Sequence, residues 1–210
     1  MRLKFLNYMQ DNMREKILDE SYWQNRYESA ETGWDAGAIT TPLKNYFDQL
    51  TNKDMDILIP GGGNSHEAEY LFNLGFRNIT VIDIAQAPLE NLKRRVPAFP
   101  TIHLLHQNFF DHSGKYDLIV EQTFFCALDP ALRANYAKKM HELLKPGGKL
   151  SGLLFDDLLQ DRNPPPFGGS MDEYRTYFEP YFRFKVFESS YNSIPPRKGK
   201  ELFMILLRND

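Results

Sequence analysis

Three glycines, Gly61-Gly62-Gly63, follow the short apolar run Met55-Asp56-Ile57-Leu58-Ile59-Pro60. A carboxylate, Asp83, closes a second such run about 20 residues later. Glycines at the end of a buried strand let the backbone approach a ligand closely and adopt positive φ. A carboxylate at the tip of the next strand is placed to hold ribose hydroxyls. A glycine triplet alone also suits a plain tight turn. It is the pairing with Asp83 that points to a cofactor of nucleoside type, with Gly61 and Gly62 as candidates at the turn and Asp83 at the sugar.

The turn is a poor match for a pyrophosphate. Dinucleotide sites prefer G-x-G-x-x-G, with the pyrophosphate on a helix N-terminus. Residues 61–66 read G-G-G-N-S-H, and Glu67 and Glu69 follow in the first turn of the next helix, where a carboxylate opposes a phosphate. S-adenosylmethionine carries no phosphate and suits the same turn better, while sugar binding by Asp83 holds for either cofactor. A nicotinamide-dependent oxidoreductase therefore stands as the weaker alternative.

Nucleophile and metal chemistry find little support. The five histidines (66, 103, 106, 112 and 141) are scattered, and no Ser/His/Asp order or Cys/His pairing stands out. One cysteine, Cys126, excludes an intrachain disulfide and a multi-cysteine zinc site. Apolar neighbours on both sides make it a buried structural thiol. No catalytic side chain and no metal ligand is assigned.

The chemistry-bearing residues all fall at the ends of elements. Strands are expected at 55–60, 79–84, 102–105, 116–120, 150–155, 182–187 and 202–207. Helices are expected from Glu67 to Leu74, capped by Asn64 or Ser65, and from Ala87 to Arg95 with Pro88 in the first turn. Pro130 opens another, ending near Leu144 and stopped by Lys145-Pro146-Gly147-Gly148, and a last one spans Met171 to Glu179. Gln160 to Gly169, with three consecutive prolines, must be a loop. Strands alternating with helices give a mostly parallel sheet covered on both faces, and the last two strands, with no helix between them, pair antiparallel. The expectation is a doubly wound, seven-stranded α/β fold with an antiparallel last strand, which by analogy is the class I methyltransferase fold. One domain, 1–210, is expected: a helical N-terminal lid segment (1–50) and a cofactor-binding core (51–210).

Composition narrows the partners. Of 210 residues, 42% are hydrophobic and 25% charged, and the net charge of -3 offers no cationic field for a nucleic acid or an anionic membrane. Lys93-Arg94-Arg95 reads as a solvated helix end. No apolar run approaches 20 residues, and Met1 to Glu20 lacks the apolar stretch of a signal peptide. A cytoplasmic monomer acting on a small molecule is expected.

Several segments together resemble one family. Tyr22-Trp23 followed by Tyr27, Thr32-Gly33-Trp34-Asp35 with Thr41-Pro42-Leu43, Pro60-Gly61-Gly62-Gly63 and Thr123-Phe124-Phe125-Cys126-Ala127 look like the thiopurine S-methyltransferase superfamily, and within it the plant-type thiol and halide methyltransferases. Ser193-Ile194 with Arg197-Lys198-Gly199-Lys200-Glu201 adds to the likeness. It runs from about Tyr22 to Arg208. The resemblance implies S-adenosylmethionine as cofactor, with Trp23, Tyr27 and Trp34 closing over it, Gly61 at the turn, Asp83 on the ribose, Asn108 and Phe109 at the adenine edge, and Gln122 contacting it from the fourth strand. Tyr27 stands where a second tryptophan is usual, and Gln122 where relatives carry tyrosine or arginine. Aromatic rings near a sulfonium contribute cation–π attraction of about 0.5–2 kcal/mol each when desolvated; the same rings would also serve to anchor the segment on the core.

The implied acceptor is a small thiol, bisulfide, halide or thiopurine-like molecule. A thiolate or halide arrives ionised, so alignment and exclusion of water supply the rate without a protein base. An oxygen or nitrogen acceptor would require one, and Glu121 or His106 is the candidate. A non-catalytic nucleoside-binding protein is the remaining alternative.

Overall fold

The computed structural model describes residues 17–157, 159 and 165–210. The expected start of the lid (1–16) and the part of the proline loop at 160–164 lie outside these residues. Seven strands form one sheet: β1 (Ile57–Pro60), β2 (Ile79–Asp83), β3 (Leu104–His106), β4 (Tyr116–Gln122), β5 (Leu144–Phe155), β6 (Phe182–Ser189) and β7 (Glu201–Arg208). Their order is β3-β2-β1-β4-β5-β7-β6. The first five pair in parallel, and β7 runs antiparallel to both β5 and β6. The strand order reverses between β1 and β4, which places the switch point, and therefore the expected ligand crevice, at the carboxyl ends of these two strands.

Helices cover both faces: α1 (Glu20–Glu28), α2 (Thr41–Phe47), α3 (His66–Asn73), α4 (Gln86–Arg95), α5 (Arg133–Leu143) and α6 (Met171–Phe178). On one face α2, α3 and α4 pack Leu43, Phe47, Leu71 and Leu92 against Ile57, Ile59, Val81 and Val120. On the other, α5 and α6 pack Tyr136, Met140, Tyr174 and Phe178 against Leu58, Ile82, Ile119 and Leu150. Every residue of β1 is buried, as expected of a parallel strand covered on both sides. The alternation along β4 also fixes the site: Ile119 faces α5 while Leu118 and Val120 face α2 and α3.

Three local expectations are corrected. The fifth strand, expected from Leu150, begins at Leu144, so Lys145 to Gly148 lie within it. Leu144 already pairs with Tyr116, the chain bulges out with Gly147 at φ +75°, and pairing resumes between Lys149 and Leu118. Lys145 holds the bulge from outside through Asp56 (2.7 Å) and Asp117 (2.8 Å). The third strand begins at Leu104, because Thr101–His103 form a 3-10 turn. Ser65 occupies the position before α3 but does not cap it: its φ is +50°, and its hydroxyl donates back to the Gly62 carbonyl at 3.0 Å.

The N-terminal segment has two parts of different character. α2 begins with Pro42 in its first turn and buries Leu43, Tyr46 and Phe47. α1, capped by Asp19 through the Tyr22 N–H, buries no residue.

Candidate functional site

The turn after β1 is bound tightly to β2. The Gly62 N–H donates to the Ile82 carbonyl (3.0 Å), and the Gly63 N–H donates to Asp83 Oδ2 (2.8 Å). Gly61 and Gly63 take φ +55° and +52°, where a side chain is strained. Both are also approached closely: a Cβ on Gly61 would overlap the Phe124 ring, and one on Gly63 would lie 2.6 Å from the Tyr27 hydroxyl. Gly62 faces the other way, since a Cβ there would meet Val81 Cγ1 at 2.6 Å. Its part in the turn is thus to pack on β2.

Asp83 is buried, with Oδ1 accepting the Ala85 N–H and Oδ2 the Gly63 N–H, each at 2.8 Å. Burial pushes its carboxyl up to about 6, and the two backbone donors hold it from rising further. A carboxylate has about four lone-pair sites, so two accepted bonds leave capacity for ribose hydroxyls.

The aromatic residues of the N-terminal segment form one cluster. Trp34 meets Trp23 edge-on at 5.6 Å and Tyr27 at 5.7 Å between ring centroids. Burial and the neighbouring Asp83 carboxylate raise the Tyr27 hydroxyl far above its ordinary range, so it stays a neutral phenol. The cluster therefore lies directly over the glycine turn and Asp83. It is tethered by polar contacts. Asp35 accepts from Asn64 and pairs with His66 Nε2 (2.8 Å); Arg197 Nη2 donates to the Trp34 carbonyl (2.6 Å); and the Ala87 N–H donates to Gln24 (3.0 Å).

At the end of β4 the chain turns abruptly. Thr123 has φ +60°, an uncommon conformation for a β-branched residue. Gln122 Oε1 faces the Thr40 hydroxyl at 3.4 Å, and its buried Nε2 has no protein partner. The Phe124 ring bridges the glycine turn to Phe109, whose ring is 5.3 Å away. Phe109 itself is buried against Tyr136 as well. Asn108 is exposed and uses its side-chain oxygen to accept the Phe110 N–H at 2.9 Å.

The two groups considered as a base are both engaged elsewhere. Glu121 is completely buried. Its Oε1 accepts the N–H groups of Phe124 (2.7 Å) and Phe125 (3.0 Å), and its Oε2 accepts the Tyr136 hydroxyl. Burial pushes it up to about 7. His106 lies at the rim of β3 with Nε2 against the Ile84 carbonyl (2.9 Å) and Glu20 (3.2 Å). Cys126 is buried, its thiol donates to the Thr123 carbonyl at 3.3 Å, and burial drives its pKa well up. It is a structural thiol. Among the described residues no cluster of His, Cys, Asp or Glu has the spacing to hold a metal ion.

The fold gathers most of the expected residues about the glycine turn, with Trp23, Trp34, Tyr27, Gly63 and Asp83 on one side and Gly61, Phe124 and Phe109 on the other, whereas Gln122 meets Thr40, Gly62 packs on β2 and Asn108 bonds within its own turn. Sequence reasoning missed the parts played by Phe124, Thr40, Asp35 and Arg197. Phe124 and Asp35 lie inside the recognised motifs, but no local spacing rule shows that one covers Gly61 or that the other bridges to Asn64 and His66.

Comparison with known proteins places this geometry. The thiopurine S-methyltransferase family pattern matches residues 18–205. A probable thiol methyltransferase 2 of Arabidopsis thaliana is 29% identical over 186 residues, covering 85% of this chain and 81% of that protein. A thiopurine S-methyltransferase of Vibrio cholerae is 23% identical over 201 residues, covering 88% and 91%. In fold, the chain is similar to the 1,6-didemethyltoxoflavin-N1-methyltransferase of Burkholderia thailandensis, solved with bound 1,6-didemethyltoxoflavin and S-adenosylhomocysteine. The TM-score is 0.74 at 15% identity, over 91% of this chain and 87% of that one.

Proposed function

The chain belongs to the thiopurine S-methyltransferase family and is an S-adenosylmethionine-dependent methyltransferase, and from that premise we propose that its acceptor is a small thiol, bisulfide, halide or thiopurine-like molecule. The observation that carries the proposal is the disposition of the possible bases: Glu121 is buried and holds three donors, and His106 is bonded at the sheet's rim. An acceptor that arrives ionised needs neither of them.

The residues present fit the cofactor. The buried amide nitrogen of Gln122, without a protein partner, is a donor suited to the carboxylate of the methionine end. Unpaired buried donors are costly, so a ligand acceptor there is the natural complement. Asp83 accepts the ribose hydroxyls while Gly63 and Ala85 keep its oxygens oriented. Asn108 has its amide nitrogen left to donate toward the adenine edge, and Phe109 backs the ring through Phe124. Trp23, Tyr27 and Trp34 offer their rings to the sulfonium and exclude water. Gly61 lets the Phe124 ring pack onto the turn, which makes Phe124 a wall of the crevice.

When bound, S-adenosylmethionine supplies a methyl group on a cationic sulfur that departs as a neutral thioether. The protein's share is alignment: it holds donor and acceptor in line and shields them from water. The moving part of the lid is read as residues 17–39, because α2 is anchored in the core while α1 buries nothing. One domain and a monomer are read in the same way, acting without nucleic acid and in the cytoplasm; among the described residues no helix is long and apolar enough to cross a membrane.

A transfer screen with S-adenosylmethionine over thiols, bisulfide, halides, thiopurines, phenols and amines tests the reading. Turnover confined to sulfur and halide acceptors is expected. Turnover confined to phenols or amines would contradict it.

A further inference from the structure

Glu121 is an ionisable residue at the carboxyl end of a central strand, and its oxygens face α5 and the turn that follows the strand. The alternation along β4 sends Gln122 toward Thr40 and the N-terminal segment, and Glu121 toward α5 and Tyr136. There its two oxygens take up the turn that follows. Oε1 accepts both the Phe124 and Phe125 N–H groups, and Oε2 accepts the Tyr136 hydroxyl. Tyr136 is itself fixed by ring contacts with Phe109, Phe124, Phe125 and Phe178.

The turn so held is strained. Thr123 sits at φ +60°, a conformation a β-branched residue leaves unless its surroundings over-determine it. The consecutive N–H groups of residues 124 and 125 would be buried donors without a partner if the carboxylate were removed. The Phe124 ring lies where a Cβ on Gly61 would be, so a shift of this turn moves the wall of the cofactor crevice.

We propose that Glu121 is a positioning residue for methyl transfer: from behind β4 it locks the Gln122–Phe125 turn, and through it the Gln122 amide and the Phe124 ring, in the geometry the reaction requires. The inference rests on the site assigned above to Gln122 and Gly61. What Glu121 must supply is an acceptor oxygen for two N–H groups rather than a charge or a proton. Burial pushes its carboxyl up to about 7, and both the ionised and the neutral forms keep that acceptor.

Two variants separate the roles. Glu121→Gln keeps the Oε1 acceptor and presents an amide to the Tyr136 hydroxyl, which can turn to accept. Glu121→Leu keeps the volume and removes both acceptors. Measured with saturating S-adenosylmethionine and the best acceptor found in the screen, whatever its class, Glu121→Leu should lose about 100-fold in kcat, the scale of a misplacement near 1 Å. Glu121→Gln should recover most of it, within about tenfold of wild type. Its kcat–pH profile should keep the wild-type shape. Equal losses in the two folded variants, or a wild-type rate in Glu121→Leu, would overturn the proposal. If Glu121→Leu does not fold, Glu121→Gln decides alone: a folded variant that has lost 100-fold, or has lost a limb of the pH profile, assigns Glu121 to proton transfer instead. An oxygen or nitrogen acceptor in the screen would contradict the sulfur reading while leaving this comparison intact.

Discussion

Replacing Asp83 by asparagine tests the sugar contact at a smaller cost to the fold than alanine. The carboxylate accepts the Gly63 and Ala85 N–H groups, each at 2.8 Å, and is 6% exposed. Alanine would leave both donors buried and unpaired, at about 1–3 kcal/mol of stability for each. That would confuse loss of affinity with loss of fold. Asparagine keeps one acceptor oxygen, removes the charge, and turns its amide nitrogen to one of the two backbone N–H groups, so it leaves one donor unpaired where alanine leaves two. Hydrogen bonds to a charged group contribute about 1.5–3 kcal/mol and neutral ones about 0.5–1.5, so the charge is worth about 1–1.5 kcal/mol here, or about 5- to 15-fold in Kd.

The pH dependence sharpens the test. Burial raises Asp83 from 3.8 to about 6. The shift corresponds to about 3 kcal/mol of folding stability that is fully present below the ordinary carboxylate pKa and lost as pH rises through about 6. Cofactor binding runs the other way, because ribose hydroxyls donate to the ionised form. Titration calorimetry should find S-adenosylmethionine bound about tenfold more weakly at pH 5 than at pH 8 in the wild type. In Asp83→Asn the Kd should be raised and nearly flat with pH. An unchanged Kd in the folded variant, or the same pH dependence without the carboxylate, would refute the assignment.

Further outcomes are expected at the N-terminal segment. Limited proteolysis between Ser29 and Thr41 should be faster without S-adenosylmethionine than with it, since α1 is held by polar tethers and buries nothing; equal rates would argue against gating. The Asp35–His66 tether should also respond to pH. The hydrogen bond to Asp35 raises His66, opposed by burial and by Arg95 and aided by Glu67, while the His66 contact chiefly lowers Asp35. Its contribution is therefore whole between about pH 4 and 6.5 and is lost as pH rises through the raised His66 value, or as it falls through the lowered Asp35 value. Protection from the protease should weaken from pH 6 to pH 8.5 in the wild type, and Asp35→Asn should abolish that dependence. Gln122→Leu should weaken cofactor binding while lowering the melting temperature only slightly, because its Nε2 has no protein partner to lose and its Oε1 accepts only the long 3.4 Å bond from Thr40; a clearly lower melting temperature with unchanged affinity would make Gln122 structural.

Much of the frame was legible because local and global signals agree. Apolar runs ending in glycine or a carboxylate mark β1 and β2, and the absence of a helix between β6 and β7 dictates their antiparallel pairing. What was not legible depends on contacts far apart in sequence. Leu144 looks like a helix end, but Tyr116 recruits it into β5 before the glycine bulge. Thr41 to Phe47 fall within the expected lid segment, yet Leu43, Tyr46 and Phe47 complete the core. Glu121 was a candidate base by residue type alone. Only the Phe124 and Phe125 N–H groups and Tyr136, on an element that begins beyond the turn, show where its oxygens go.

Methyl transfer to an acceptor that arrives ionised should need no base from the protein. The most direct measurement is the pH profile of kcat/KM for a series of thiols of graded acidity, with a halide alongside. The rising limb should follow each thiol's own pKa, and the halide profile should be nearly flat between neutral and mildly alkaline pH. One pKa shared by every thiol, and removed by Glu121→Gln or by a neutral replacement of His106, would contradict it.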